Sequence, residues 1–355
     1  MSYETIKNTG QHFIVGMKDP VPDKQFLDFI KSYNIGGVLF LGKNYTSIEE
    51  LADAVNMLQA SSPVTPLLTS VDHEGGRVQR FKSPFTKLPS YREATKDKTP
   101  KQIFEIFHAV AEELLVCGIN TNLAPVVDMT DEISGVIGDR SIGTDLIKVE
   151  EIISATIRGF VKSGIICCAK HFPGHGCVTQ DSHLDLPVSS KTLAELINYE
   201  IIPFKKATKA GVQAIMTAHI LFENIDTLPS SLSPKFIEDI IRKEFRFTKL
   251  VITDDISMGA ITKHYNPTEA SILAINAGND MIIFSSSDID QLANTIDEVS
   301  KRAENETSIK NKMKESQERI KSVKAGIKKQ NISSTAASDF LNQSSVSKYI
   351  LGQDL

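Results

Sequence analysis

Short apolar segments rich in Val and Ile alternate along this chain with longer segments of helical periodicity. The apolar segments lie at 13–17, 37–41, 66–72, 121–128, 165–171, 212–220, 250–255 and 280–286. Short runs of this kind are typical of buried strands, and the longer amphipathic segments between them are typical of helices. The pattern therefore predicts repeated βα units around a parallel sheet.

Helix start signals support this division. Ser47 and Glu50 are spaced as a capping box, and Ser233–Pro234 as a cap followed by a first helical residue. Further helices are expected to begin at or near Pro22–Asp23, Pro100, Leu146, Thr192, Thr268 and Ile289.

Eight strand–helix repeats over roughly 300 residues predict an α/β fold, a (β/α)8 TIM barrel formed as a single domain by residues 1–303. An open doubly wound sheet has a similar pattern, but it would concentrate ligand residues near one switch point. Polar residues instead follow strands all along the chain, at Asp72, Asp128, Lys170–His171, His219 and Asp254. This distribution favours the barrel.

Residues 304–355 are predicted to be a C-terminal helical extension and polar tail. The segment 304–330 is Lys-rich with apolar residues at helical spacing, which is typical of a solvated helix packed on the barrel exterior. The serine-containing stretch after it, from Ser333 to Ser345, is expected to be loosely ordered.

Composition limits the function. The chain has 355 residues, of which 41% are hydrophobic and 23% charged, as in ordinary globular proteins. Its 39 Lys and Arg residues against 44 Asp and Glu residues give a net charge of −5, which offers no basic surface for nucleic acid. No secretory signal or membrane span is evident, and the four cysteines suit free thiols in a reducing cytosol. A small neutral substrate, a monomer and a cytoplasmic location are expected.

The segment Lys170–Gly176, KHFPGHG, begins where the fifth strand should end. A buried strand rarely ends in Lys-His for packing alone, because an unpaired buried charge is costly. Asp181 and His183 follow it, and in an extended loop these two side chains would point the same way. A carboxylate beside an imidazole fixes its tautomer and raises its basicity, which suits proton transfer near neutral pH.

Two adjacent carboxylates, Asp254 and Asp255, end the seventh predicted strand. In extended chain they project to opposite sides, so one can enter the barrel mouth while the other packs at the wall. A carboxylate held in this way can attack an electrophilic carbon. The alternative is that Asp255 caps the following helix and Asp254 pairs with a nearby cation.

Loops after the third and fourth strands carry further polar groups. The segment 72–80, DHEGGRVQR, combines a carboxylate suited to sugar hydroxyls with glycines that allow close backbone approach. The segment 138–143, GDRSIG, supplies a guanidinium at Arg140. Each signal is weak alone, and their convergence on one face of a barrel strengthens them.

These four segments together resemble glycoside hydrolase family 3, in the β-N-acetylglucosaminidase subgroup of the NagZ type. The resemblance spans about residues 10–303 in family order, and the combination of KHFPGHG with Asp181-Ser182-His183 is highly specific. It implies a retaining mechanism with Asp254 as nucleophile and with His183, supported by Asp181, as general acid/base. It also implies that Asp72, Arg80, Arg140, Lys170 and His171 hold the sugar, and that neither a metal nor a cofactor takes part.

The resemblance further implies a muropeptide substrate, typically GlcNAc-1,6-anhydro-MurNAc, and a role in peptidoglycan recycling. Asp128 and His219 have at most a supporting role. The family commonly has Gln where His73 stands and an aromatic residue where Ile142 stands, and both changes are expected to alter only the pocket rim.

Four other functions remain open. His183 could admit phosphate in the second step, which would make the enzyme a β-N-acetylglucosaminide phosphorylase. Lys170 could serve a Schiff-base lyase. His171, His175 and His183 could bind a metal in a hydrolase, and a carbohydrate-binding barrel could lack catalysis altogether.

Overall fold

A closed parallel barrel of eight strands forms the centre of the protein. The computed structural model describes residues 8–62, 65–132, 135–328, 331–344 and 346–351. The barrel strands are β1 (Phe13–Gly16), β2 (Gly37–Phe40), β3 (Leu68–Val71), β4 (Thr121–Asn122), β5 (Ile166–Phe172), β6 (Ala214–Thr217), β7 (Leu250–Thr253) and β8 (Ile282–Phe284).

All neighbouring strands run parallel, in the spatial order β7-β6-β5-β4-β3-β2-β1-β8. The two ends of this series meet, because Ile252 of β7 forms a parallel bridge with Met281 and the Thr253 amide donates to the Met281 carbonyl at 3.0 Å. The predicted (β/α)8 barrel is confirmed, and the open doubly wound sheet is excluded.

A helix follows every barrel strand. These helices are α1 (Lys24–Tyr33), α2 (Ile48–Ser61), α3 (Pro100–Val116), α4 (Leu146–Ser163), α5 (Ile202–Ala210), α6 (Lys235–Glu244), α7 (Pro267–Ala277) and α8 (Ile289–Asn305). The predicted cap at Ser47 is confirmed, since its hydroxyl accepts from the Glu50 amide at 3.2 Å. The helix predicted from Thr192 is a short one, Leu193–Asn198, that precedes α5. Short helices also lie at Tyr91–Thr95 and Gly259–Thr262.

Two apolar layers hold the barrel together. Side chains alternate along each strand, so that Ile14 of β1 faces the barrel interior while Phe13 and Val15 pack against the helices. The interior layer consists of Ile14, Leu39, Leu68, Leu123, Ile166, Cys168, Ala214, Met216, Leu250, Ile252, Met281 and Ile283, with Ile320 and Val323 from beyond the barrel. The interior is therefore a packed core rather than a channel.

Helix α9 (Thr307–Lys324) closes the base of the barrel. Its Ile320 and Val323 join the interior layer, and its Arg319 Nε lies 2.7 Å from Asp280 Oδ1, just before β8. The fully buried Lys324 ammonium donates to the Gly36 carbonyl, just before β2, at 2.6 Å. The helix predicted for 304–330 is present. It packs against α7 and α8 on the outside of the barrel, and Ile320 and Val323 near its end also reach the barrel interior.

The loosely ordered tail expected from the serine-rich stretch is wrong for the described residues. Helix α10 (Ser334–Asn342) begins after Ser333, whose hydroxyl accepts from the Ala336 amide. Its Ala337 and Leu341 are buried, and the helix packs against α2 and α3. A last helix, α11, spans Val346–Leu351, and Ser345 lies outside the described residues. Serine here begins a helix, and the apolar pair four residues apart fixes it to the barrel.

Two simpler expectations concern cysteines and membranes. All four cysteines are free, as predicted. In the part of the chain that the structure describes, no helix has the length and apolar character that crossing a membrane requires.

Ile320→Ala tests the closure of the base by α9. Because Ile320 is 1% exposed within the interior layer, we expect the free energy of unfolding to fall by about 2–5 kcal/mol. Ile147→Ala is the matched control, since Ile147 is 76% exposed and should change stability by less than about 0.5 kcal/mol. Urea unfolding followed by circular dichroism measures both, and equal effects would show that α9 does not complete the core.

Candidate active site

A pocket of about 190 Å³ opens at the carboxyl ends of the barrel strands. Its floor is apolar, with Leu39, Leu123, Met216 and Ile283 from the interior layer. Seven of the eight predicted site residues line it: Asp72, Arg80, Arg140, Lys170, His171, His183 and Asp254. Asp181 does not line the pocket but contacts His183 beside it.

A chain of alternating charges crosses one side of the pocket. The Lys170 ammonium lies 2.7 Å from Asp72 Oδ1 and 2.6 Å from Glu74 Oε1, and Arg140 binds Glu74 with two nitrogens at 2.8 and 2.9 Å. Arg80 Nη2 is 3.6 Å from Asp72 Oδ2. Burial alone would lower the pKa of Lys170, but Asp72 and Glu74 outweigh it, so the pKa is raised and the lysine stays protonated.

Glu74 is the residue of this network that sequence reasoning did not select. It is 5% exposed, and although burial would raise its pKa, Lys170 and Arg140 bring it well below the ordinary value. Glu74 lies in a small antiparallel hairpin of His73–Gly75 with Val78–Gln79 directly after β3. Its position two residues after Asp72, on an extended segment, was the available signal, because alternate side chains share a face.

Asp128 fixes two histidines of the KHFPGHG loop. Its carboxylate accepts from His171 Nδ1 at 2.7 Å, from the His171 amide at 3.1 Å and from the His175 amide at 2.7 Å. The Lys170–His171 peptide is cis, and the β5 register shifts beside it. With Nδ1 engaged, His171 presents Nε2 towards the pocket, 3.5 Å from Arg140 Nη2. Asp128 thus orients the His171 ring and holds the backbone of the KHFPGHG loop.

The adjacent carboxylates Asp254 and Asp255 have different surroundings. Asp255 accepts from the amides of Ser257 and Ser285 at 2.9 and 3.0 Å and also binds the Ser285 hydroxyl, so it joins the ends of β7 and β8. Asp254 faces the pocket, and its Oδ1 accepts from the Asp255 amide at 2.8 Å.

Asp254 is held in its ionised form. Burial would raise its pKa, but the nearby His171 and His219, followed by the Asp255 amide, outweigh burial and lower the pKa below the ordinary value. His219 itself is fully buried, with Nδ1 2.7 Å from the Ser231 hydroxyl and Nε2 3.1 Å from the Asp255 carbonyl. An ionised carboxylate with one oxygen held by an amide is oriented for nucleophilic attack.

Asp181 and His183 form a hydrogen-bonded pair at the rim. Asp181 Oδ1 accepts from His183 Nδ1 at 2.8 Å and from the His183 amide at 2.9 Å. The extended loop expected here is wrong: the segment is a tight turn, in which the Leu184 amide donates to the Asp181 carbonyl at 2.9 Å. The His183 side chain is 68% exposed and its Nε2 is left for another partner.

The two departures from the family pattern do not lie on the rim. His73 is buried, and its ring lies 5.9 and 5.8 Å from Phe81 and Phe85 in an aromatic cluster behind the pocket. Burial lowers the pKa of His73 to about 3, so it is neutral. Ile142 packs against the outer core. The expectation that both residues shape the rim is therefore wrong.

The geometry disfavours two of the open alternatives. Lys170 is protonated and bound by two carboxylates, whereas Schiff-base formation needs a neutral amine. Of the residues that the structure describes, no three His, Cys, Asp or Glu side chains are grouped to hold a metal ion.

The comparison with protein families decides the classification. Residues 7–323 match the profile described as glycosyl hydrolase family 3 N terminal domain. The chain belongs to glycoside hydrolase family 3. The matched region includes α9 except for its last residue, Lys324.

Individual relatives agree with this classification. A beta-hexosaminidase of Nitrosospira multiformis is 35% identical over 255 residues, which cover 70% of this chain and 73% of that protein. The crystal structure of a beta-N-acetylhexosaminidase from Beutenbergia cavernae superposes with a TM-score of 0.84 at 27% identity, covering 92% of this chain and 99% of the other. A fungal multi-domain family 3 beta-N-acetylglucosaminidase superposes with a TM-score of 0.90 at 28% identity, where the match covers 97% of this chain but only 42% of the longer fungal one.

Glu74→Gln tests the charge network of this family 3 enzyme. Glutamine keeps the shape but removes the negative charge between Lys170 and Arg140, so we expect a loss of about 3–5 kcal/mol in unfolding free energy. Glu298→Gln is the control, because Glu298 is 52% exposed in a pair with Lys301 and should contribute less than about 1 kcal/mol. Chemical denaturation measures both, and a Glu74 effect no larger than that of Glu298 would contradict the network.

Proposed function

We propose that this chain is a retaining exo-β-N-acetylglucosaminidase that releases terminal β-linked N-acetylglucosamine from muropeptides such as GlcNAc-1,6-anhydro-MurNAc. Its family and its relatives make it a β-N-acetylhexosaminidase. The observation that carries the mechanism is a pocket containing an ionised carboxylate, Asp254, together with an imidazole, His183, whose Nε2 is unengaged.

The sugar binds against groups that are already in place. Asp72 accepts from sugar hydroxyls, while Lys170, Arg80 and Arg140 donate to them. The ion pairs among these side chains and Glu74 hold them in place along one wall of the pocket. His171, fixed by Asp128, adds a donor or acceptor at Nε2. Prepositioned groups of this kind need no reorganisation as charge develops in the transition state.

In the first step Asp254 attacks the anomeric carbon while the bond to the glycosidic oxygen breaks. His183 donates its Nε2 proton to that oxygen, and Asp181 stabilises the charged imidazole through Nδ1. The negative charge of Asp254 also stabilises the positive charge that develops on the sugar ring. The products are a glycosyl ester on Asp254 and the released aglycone.

In the second step water replaces Asp254. The neutral His183 takes a proton from the water, whose oxygen attacks the anomeric carbon and expels the carboxylate. Two inversions give a sugar of retained β configuration. The enzyme returns to its starting protonation state.

The shape of the pocket supports exo action. The apolar side chains of the interior layer close its floor, so a sugar can enter only with its free end first. The muropeptide substrate and cytoplasmic peptidoglycan recycling rest on the resemblance to single-domain family members with this function. A monomer suffices, because one chain supplies every residue of the proposed mechanism.

Product analysis with GlcNAc-1,6-anhydro-MurNAc tests this function. We expect free N-acetylglucosamine, released first as the β anomer in NMR spectra, and a loss of more than about 10³-fold in rate for Asp254→Asn. Asp239→Asn, which changes an exposed carboxylate on α6, should behave like the wild type. The α anomer would contradict the retaining mechanism, and N-acetylglucosamine 1-phosphate formed in phosphate buffer would identify the enzyme as a phosphorylase.

His183→Ala tests the acid/base assignment. Without a proton donor, kcat/KM for the disaccharide should fall by about 10²–10⁴-fold, whereas p-nitrophenyl β-N-acetylglucosaminide should lose less than about tenfold, because its leaving group needs little protonation. Azide, which attacks without a general base, should restore kcat on the aryl substrate. Equal losses on both substrates would argue against the proton-donor role.

A further inference from the structure

Ser182, which lies between Asp181 and His183 in sequence, has surroundings unlike theirs. Ser182 is 2% exposed, whereas the flanking Asp181 and His183 side chains are 41% and 68% exposed. The catalytic turn, defined here as Asp181–Asp185, is therefore fixed to the protein through its second residue. Its hydroxyl and its backbone carbonyl both have partners.

The Ser182 hydroxyl is bound to His175 of the KHFPGHG loop. His175 Nε2 lies 3.2 Å from Ser182 Oγ, and the His175 side chain is itself buried. The His175 amide donates to Asp128 Oδ1 at 2.7 Å, and the same carboxylate orients His171 in the sugar pocket. Ser182 is thus connected by two hydrogen bonds to the group that fixes the sugar-binding histidine.

The Ser182 carbonyl is bound to a different segment of the chain, the one that follows β7. It accepts from the Ala260 amide at 3.0 Å, and the His183 carbonyl accepts from the Gly259 amide at 3.2 Å. These amides begin the short helix Gly259–Thr262, which follows Asp254 closely in sequence. A Cβ at position 259 would lie 2.6 Å from the His183 carbonyl oxygen, so only glycine allows this approach.

We propose that Ser182 is the positioning residue of the acid/base, placing His183 relative to both the sugar pocket and Asp254 through its contacts with His175 and Ala260. The proposal rests on the proposed function, because it assigns Ser182 an effect that acts only through His183. A serine fits this position since it is small enough to be buried in a tight turn and keeps a hydroxyl for His175.

Ser182→Ala removes the hydroxyl and leaves the turn backbone unchanged. We expect kcat/KM for GlcNAc-1,6-anhydro-MurNAc to fall by about tenfold, in keeping with the loss of one hydrogen bond, and that for the p-nitrophenyl glycoside to change by less than about twofold. In the double variant Ser182→Ala/His183→Ala, the disaccharide rate should equal that of His183→Ala alone, because the serine has nothing left to position.

Two further variants complete the experiment. Ser190→Ala changes an exposed serine of the same loop and should match the wild type on both substrates. Gly259→Ala introduces a Cβ that displaces the His183 carbonyl, and it should reproduce the selective loss of kcat/KM on the disaccharide. Urea unfolding of every variant separates these effects from a loss of folded protein.

Each outcome decides between the two proposals. Suppose first that His183→Ala lowers kcat/KM selectively for the disaccharide. The positioning role is then overturned, and the proposed function stands, if Ser182→Ala lowers kcat/KM equally for both substrates or raises KM for both. The same conclusion follows if the loss caused by Ser182→Ala adds in full to that of His183→Ala in the double variant. If His183→Ala is itself not selective, the acid/base assignment fails, and the role of Ser182 fails with it.

Discussion

The ammonium of Lys170, held between the buried carboxylate of Glu74 and the partly buried carboxylate of Asp72, is the interaction on which the active site depends. It joins the end of β5 to Asp72 and Glu74 after β3, and Glu74 extends the connection to Arg140 after β4. Each of these groups would be costly to bury alone, and together they satisfy one another. The same pairing leaves a wall of fixed donors and acceptors beside Asp254, so the network both stabilises the rim and prepares it for a polar ligand.

The base of the barrel repeats this arrangement for a different purpose. Asp280, before β8, binds Arg242 of α6 and Arg319 of α9 through separate oxygens, and it also accepts from the Val251 amide. None of these groups lines the pocket. Ion pairs at the amino ends of the strands therefore hold the closing helix, whereas those at the carboxyl ends shape the site, as is general for barrels of this class.

The features that could be predicted from the sequence are those that depend on local patterns of residues. Strand and helix periods are local, so all eight repeats were predictable, and Lys170–His171 stood out because charged residues followed an apolar run. Glu74 did not stand out in the sequence, because its role depends on an ion pair with Arg140, 66 residues away. The turn of Asp181–Asp185 and the position of α9 depend on distant partners, Gly259 and the open barrel end, which no short window of sequence contains. The predicted roles of the catalytic residues follow from the family resemblance, whereas their positions follow from the fold.

The exposure of His183 explains why an imidazole suits this enzyme. A carboxylic acid remains protonated at neutral pH only when burial destabilises its charge, as in glycosidases with two carboxylates. A side chain that is 68% exposed on a surface turn has no such burial, so a carboxylic acid at this position would be ionised and could not donate a proton. The turn then has to supply orientation rather than a low dielectric, and the bonds from Asp181 to Nδ1 and from Ser182 to His175 and Ala260 provide it. In the proposed mechanism, proton transfer from the solvent-exposed rim and nucleophilic attack from the pocket wall thus come from two differently constructed parts of one pocket.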